Sequence, residues 1–180
     1  MTIILYDFRK LIIAPLLLMV GACTGLPEGI QPVNSLDTER YLGTWYEIAR
    51  LDHSFEQGLS RVTAKYEKQD DGSLKVINRG YNDEKSEWKE AKGRALFVNE
   101  DTDGHLKVSF FGPFYASYVI FELDDQYQQA YITSYNRDYL WFLSRTPTVS
   151  DEAMAEFRKT ALDAGFDLQE LIVVDHSTVN

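Results

Sequence analysis

From residue 36 onward, apolar and polar side chains alternate in short runs broken by turn residues. The alternation predicts strands at 44–51, 59–68, 73–81, 88–98, 105–111, 115–123, 128–135 and 139–145. Asp70-Asp71-Gly72, Asp101-Thr102-Asp103-Gly104 and Asp124-Asp125-Gln126 supply turns between them. No motif repeats along the chain. Short, regularly spaced hairpins predict an all-β protein, either an up-and-down antiparallel barrel or a sandwich.

Two strands say something about the interior. Val62, Ala64 and Tyr66 share one face, and Ala91, Gly93, Ala95 and Phe97 share another. Small side chains on an inner face leave room for a cavity, but they equally suit tight sheet curvature. The strands at 115–123 and 139–145 are apolar on both faces, so each needs packing outside as well as inside. A helix can supply it. Pro147 ends the last hairpin strand, Ser150 is a suitable N-cap, and Asp151 and Glu152 follow in the first turn. Met154, Phe157, Ala161 and Ala164 form an apolar stripe, Gly165 suits the C′ position, and 169–174 reads as a ninth strand.

The first 22 residues have a different character. Arg9 and Lys10 precede the apolar run Leu11–Ala22, which at 12 residues falls short of the roughly 20 needed to cross a bilayer. A charged start, an apolar middle and the small Gly21 and Ala22 make an export signal. Cys23 follows Val20-Gly21-Ala22 directly, which resembles the lipobox of bacterial lipoproteins. That resemblance implies acylation of Cys23 and cleavage before it. Thr24, where an Asp would imply inner-membrane retention, implies the outer membrane. Residues 23–35 then read as the lipidated Cys and a tether with Gly25, Pro27, Gly29 and Pro32. The domain spans 36–174, and 175–180 is a polar tail.

Composition narrows the function. Hydrophobic residues are 44% of the 180, enough for one core. The formal charge is −10, and −11 without residues 1–22, which argues against nucleic acid as a partner. One Cys allows no intrachain disulfide and no Cys-rich zinc site. His53, His105 and His176 are isolated, and no nucleophile elbow, paired-His helix or P-loop occurs. No metal, cofactor or catalytic residue is therefore expected, and the chain does not read as an enzyme.

Three motifs give a more specific resemblance. Gly43-Thr44-Trp45 opens the first strand after a short turn at Asp37–Leu42. Asp124-Asp125-Gln126-Tyr127 lies between the sixth and seventh strands, and Arg145 closes the eighth. In this order and spacing they resemble the lipocalins, closest to the bacterial lipocalins anchored in the outer membrane, relatives of apolipoprotein D. The resemblance covers nearly all of 36–174. It implies an eight-stranded up-and-down antiparallel barrel with one C-terminal α-helix and a ninth strand. It gives Gly43, Trp45, Asp124, Tyr127 and Arg145 structural roles, with Arg145 over Trp45 at the closed end. Many secreted lipocalins tie down the C-terminal segment with a disulfide; here the face from Met154 to Ala164 would have to hold it.

The resemblance also implies a cup for an apolar ligand, a fatty acid or a lysophospholipid, in a domain facing the periplasm. By alternation, the lining candidates are Val62, Ala64, Tyr66, Ile77, Ala95, Phe97, Phe110, Tyr118 and Ile120. Tyr46, Tyr131 and Tyr135 are candidate polar handles, Arg61, Arg79 and Arg94 candidate partners for an anionic head, and Glu47 a candidate interior carboxylate. The 52–59 connection, with His53, Phe55 and Gly58, is a candidate lid, and 111–115 a candidate apolar lip. A filled barrel acting as an envelope scaffold, a lipid-modifying enzyme and a homodimer across the open ends remain open alternatives.

Overall fold

A computed structural model describes residues 24–100 and 102–177. The expected signal, Cys23 and the last three residues of the tail lie outside them. A short helix, α1 (Thr38–Tyr41), precedes the strands β1 (Gly43–Leu51), β2 (Leu59–Lys68), β3 (Leu74–Asn82) and β4 (Glu87–Phe97). Then come β5 (His105–Phe111), β6 (Phe114–Leu123), β7 (Gln129–Thr133) and β8 (Leu140–Ser144). Helix α2 (Asp151–Asp163) and strand β9 (Leu171–Val173) finish the chain.

From β1 to β8 each strand pairs antiparallel with the next, and β1 pairs with both β2 and β8, so the sheet closes into a barrel. A sandwich is thereby excluded. The first half of β1 bonds β2 through Gly43–Tyr46, and its second half bonds β9 through Ala49–Leu51. Between the halves the register with β8 shifts, from Glu47 opposite Leu143 to Ala49 opposite Phe142. This bulge turns both Ile48 and Ala49 outward into the helix-side core, and it returns Arg50 to the interior.

Two apolar clusters follow. One fills the lower barrel with Trp45, Tyr66, Leu74, Val76, Ala95 and Ile120. The other lies outside the wall, where Phe157 and Ala161 of α2 pack on Val119, Phe121, Tyr131 and Phe142. That external layer is why β6 and β8 are apolar on both faces.

The helix ends as its sequence requires. Ser150 Oγ accepts from the Ala153 N–H at 3.2 Å. Gly165 has φ +85°, its N–H donates to Leu162, and the Phe166 N–H donates to Ala161. Met154 and Ala164 pack on the cluster half-buried, while Phe157 and Ala161 are fully covered. The stripe does not hold the C-terminal segment alone, however. β9 bonds β1, and Arg137 Nε donates to the Ala164 carbonyl at 2.7 Å.

The stretch expected as a tether is packed. Ile30 is buried in the outer cluster, and Val33 exchanges main-chain bonds with Ile120 and Gly104. Nearer its start, the Gly25 carbonyl accepts from Ser117 Oγ at 2.7 Å.

Candidate functional site

The three motifs meet at one end of the barrel. Gly43 has φ +92°, a conformation that favours glycine, and it turns the chain from α1 into β1. Trp45 is fully buried and donates its Nε1 to the Tyr41 carbonyl at 2.8 Å. The Arg145 guanidinium carbon sits 3.9 Å from the centre of the Trp45 ring. The same guanidinium donates to the carbonyls of Arg40, Tyr41, Leu42, Thr44 and Tyr127. Asp124 accepts from the N–H groups of Gln126, Gln128 and Gln129, which shapes the loop. Tyr127 Oη accepts from the Asp37 N–H at 2.8 Å, and Arg40 lies over the Tyr127 ring. Every polar feature here closes the barrel, and none points a reactive group at free space.

Above Trp45 stand three tyrosines, Tyr41 and Tyr66 buried and Tyr118 half-buried. Tyr66 Oη donates to Tyr118 Oη at 2.7 Å, and the Tyr41 and Tyr118 hydroxyls are also 2.7 Å apart. Burial pushes the pKa of all three up, so they stay neutral.

The strand register places the lining candidates. Ala64, Tyr66, Ala95, Phe97, Phe110, Tyr118 and Ile120 belong to the interior cluster. Val62 joins them on that face, beside the Cα of Gly80. Ile77 does not. It pairs with Lys65 and Lys92 on the outer face, while its neighbours Val76 and Asn78 turn inward. The error is a slip of one residue, invited by a strand that carries a polar Asn on its inner face.

The interior opens upward. Tyr66, Ala95 and Ile120 are buried, whereas Ala64, Phe110 and Tyr118 are half-buried. Ala91, opposite Asn78, and Ala116, opposite Val108, occupy inward register positions yet are exposed. An inward alanine that solvent reaches has space in front of it. The wall is thus a cup, plugged below by Trp45 and the tyrosines.

A polar cluster that the sequence conceals stands on the β1 side of the mouth. Arg50, only 1% exposed, donates to Glu47 Oε1 at 2.7 Å and to the carbonyls of Glu56 and Leu59. Trp141 Nε1 donates to Glu56 Oε2 at 3.2 Å, and His53 Nε2 lies 3.0 Å from the same oxygen. Burial, and then the Glu56 carboxylate, hold the Glu47 carboxyl well above the usual range, against the pull of Arg50. Arg50 Nε and His53 Nδ1 are buried without a hydrogen-bond partner. The 52–58 connection therefore folds inward on Glu56 and anchors over Arg50. His53 stacks on Phe55 at 3.9 Å and leans on Trp141.

The other polar candidates are not at the mouth. Tyr46 and Tyr131 belong to the outer cluster. Arg61 bonds Asp83 and the Ser177 carbonyl, Arg79 covers Trp88, and Arg94 pairs with Asp71, all on the outer face. Tyr135 is at the rim, against Tyr139. Glu47 is interior, as alternation suggests. Arg50 and Glu56 escape sequence reasoning because the β1 bulge inverts the face and charged residues ordinarily signal solvent.

The comparisons agree with this geometry. The model of the lipocalin-like domain matches residues 36–176. The outer membrane lipoprotein Blc of Vibrio cholerae is 55% identical over 157 residues, covering 87% of this chain and 92% of its own. Its namesake from Escherichia coli K12 is 51% identical over 158 residues, 87% of this chain and 89% of its own. Insecticyanin from the tobacco hornworm Manduca sexta superposes with a TM-score of 0.68 at 20% identity, over 85% of this chain and 87% of that one, which bears on the fold alone. A barrel plugged by a Trp–Arg pair, a cup above it, a helix on its wall and this match over most of its length place the chain in the lipocalin family.

Proposed function

We propose that this protein binds single-acyl lipids, fatty acids or lysophospholipids, in its cup, and stores or carries them in the cell envelope. One observation carries the reading: solvent reaches inward-facing Ala64, Ala91 and Ala116 above an apolar floor. The cup is apolar below and polar at the mouth, where Glu47, Arg50, His53 and Glu56 gather. That gradient suits an amphiphile with its chain down and its head up. Val62, Ala64, Tyr66, Ala95, Phe97, Phe110, Tyr118 and Ile120 supply the chain-binding wall.

The mature chain starts at an acylated Cys23 in this reading, anchored in the outer membrane with the domain in the periplasm. The sequence before Cys23 supports it, as do two relatives named outer membrane lipoproteins. Several acyl chains hold stably where one binds reversibly. With a charge of −11, the mature chain has no basic attraction to fall back on.

Native mass spectrometry on gently extracted protein tests the ligand. A co-purifying acyl lipid is the expected result. A protein that is empty and ignores added lysophospholipid and fatty acid would instead be a scaffold. Incorporation of labelled palmitate, lost in Cys23→Ser, tests the anchor.

A further inference from the structure

The large aromatic side chains left exposed among the described residues share one location. Phe55 is in the β1–β2 connection, Trp88 begins β4, and Phe111 and Phe114 flank the β5–β6 turn. All four lie at the open end, opposite the plug formed by Trp45 and Arg145. Phe111 and Phe114 are the most exposed, at 81% and 68%. Nothing in the fold requires this, because the turn could be polar as the closed-end turns are.

A second observation concerns the start of the described chain. The Gly25 carbonyl accepts from Ser117 Oγ, and His105 Nε2 stands 3.3 Å from the same hydroxyl. The Thr24 backbone also bonds His105. Thr24 and Gly25 are therefore fastened to the outer wall of the β5–β6 hairpin, and Leu26 beside them is partly exposed. Ser117 is three residues from Phe114 along β6, about 10 Å. Cys23 is joined directly to Thr24 in the sequence.

We propose that the aromatic rim, led by Phe111 and Phe114, docks on the lipid surface that holds the Cys23 anchor, so that the mouth of the cup opens against the bilayer. The proposal rests on the anchor reading above. The hairpin that grips the anchor stem also carries the apolar tip, so an acyl group at Cys23 brings that tip to the membrane. Aromatic rings suit the headgroup boundary, where an apolar body meets a polar surface. Contact through rings also needs no positive charge, which an acidic chain does not offer. A single-acyl lipid would then pass between bilayer and cup without crossing water.

The test uses the acylated full chain in vesicles of phosphatidylethanolamine and phosphatidylglycerol. Cys23 is the chain's one cysteine, so once it is acylated, Phe114→Cys provides a single free thiol for a spin label. Gln126→Cys, in the closed-end loop, is the control. The label at 114 is expected to collide more with lipid-soluble oxygen than with an aqueous nickel chelate, and the label at 126 to show the reverse. Protein that stays in the membrane with an aqueous label at 114 overturns the docking and leaves the anchor intact. Protein that washes off the vesicles refutes the anchor, and the docking falls with it. Spin–spin broadening at 114 without oxygen contact would assign the rim to a second copy and overturn the lipid assignment.

Discussion

Arg145 covers Trp45 at 3.9 Å while its guanidinium collects five main-chain carbonyls from α1, β1 and the β6–β7 loop. A lysine could keep the charge but not the planar fork that reaches several acceptors at once. Trp45→Ala is expected to cost about 3–5 kcal/mol in urea unfolding, from the cavity and the lost stack. Arg145→Lys should also destabilise. A double-mutant cycle should find coupling of about 0.5–2 kcal/mol between Trp45 and Arg145. Additive losses would show that the pair is not a unit.

Glu47 should leave a mark on the pH dependence of stability. Its folded pKa is raised, so the native state keeps a proton that the unfolded chain releases near about pH 4.3. Between that value and the higher folded pKa, the native state binds more protons, and stability falls as pH rises. Glu47→Gln keeps an oxygen for Arg50 and removes the titration. Urea unfolding from about pH 5 to about pH 8 should show a decline in the parent protein and a flatter curve in the variant. Equal slopes would mean that Glu47 does not titrate in this window.

Filling the cup should separate binding from folding. Ala91 faces inward with open space before it, and its neighbour Lys92 faces out. Ala91→Trp is expected to weaken lysophospholipid binding about tenfold or more, with little change in melting temperature. Lys92→Trp should leave binding unchanged. Titration with a fluorescent lysophospholipid reads both.

Gly93 is a different kind of small residue. A Cβ there would stand 2.9 Å from the Phe110 ring and from the Ser109 carbonyl. Gly93→Ala should therefore destabilise by about 1–3 kcal/mol in urea unfolding, as overpacking does. A neutral result would mean that Phe110 moves aside freely.

The contrast between Ala91 and Gly93 shows how far sequence reading reaches. Small residues on the inner face of β4 left cavity and curvature equally open. The structure divides them: Ala91 has room, and Gly93 makes way for Phe110. Strand number, barrel class, helix caps and the closed-end motifs were readable because each depends on local patterning or on a motif with fixed spacing. β7 and β8 are shorter than their apolar runs, pairing only through Gln129–Thr133 and Leu140–Ser144. The mouth cluster was hidden for a nonlocal reason. Counting by twos from Trp45 puts Ala49 inside and Arg50 outside, and only the bulge beside β8 reverses them. Ile77 failed for a different reason: Asn78 takes an inner position that its polarity argues against.

The packing of the amino-terminal stem sets how the domain can move. Chain that clads a wall is not slack: Val33 is stitched to Ile120 and Gly104, Ile30 is buried, and Gly25 is pinned by Ser117. A globule on a loose leash would tumble through a hemisphere and meet its surface in every attitude, at a local concentration set by leash length. Under the proposed anchoring at Cys23, the leash is shortened to the join between Cys23 and Thr24. Attitude and height above the attachment point become properties of the fold, inherited from where the first described residue leaves the barrel wall.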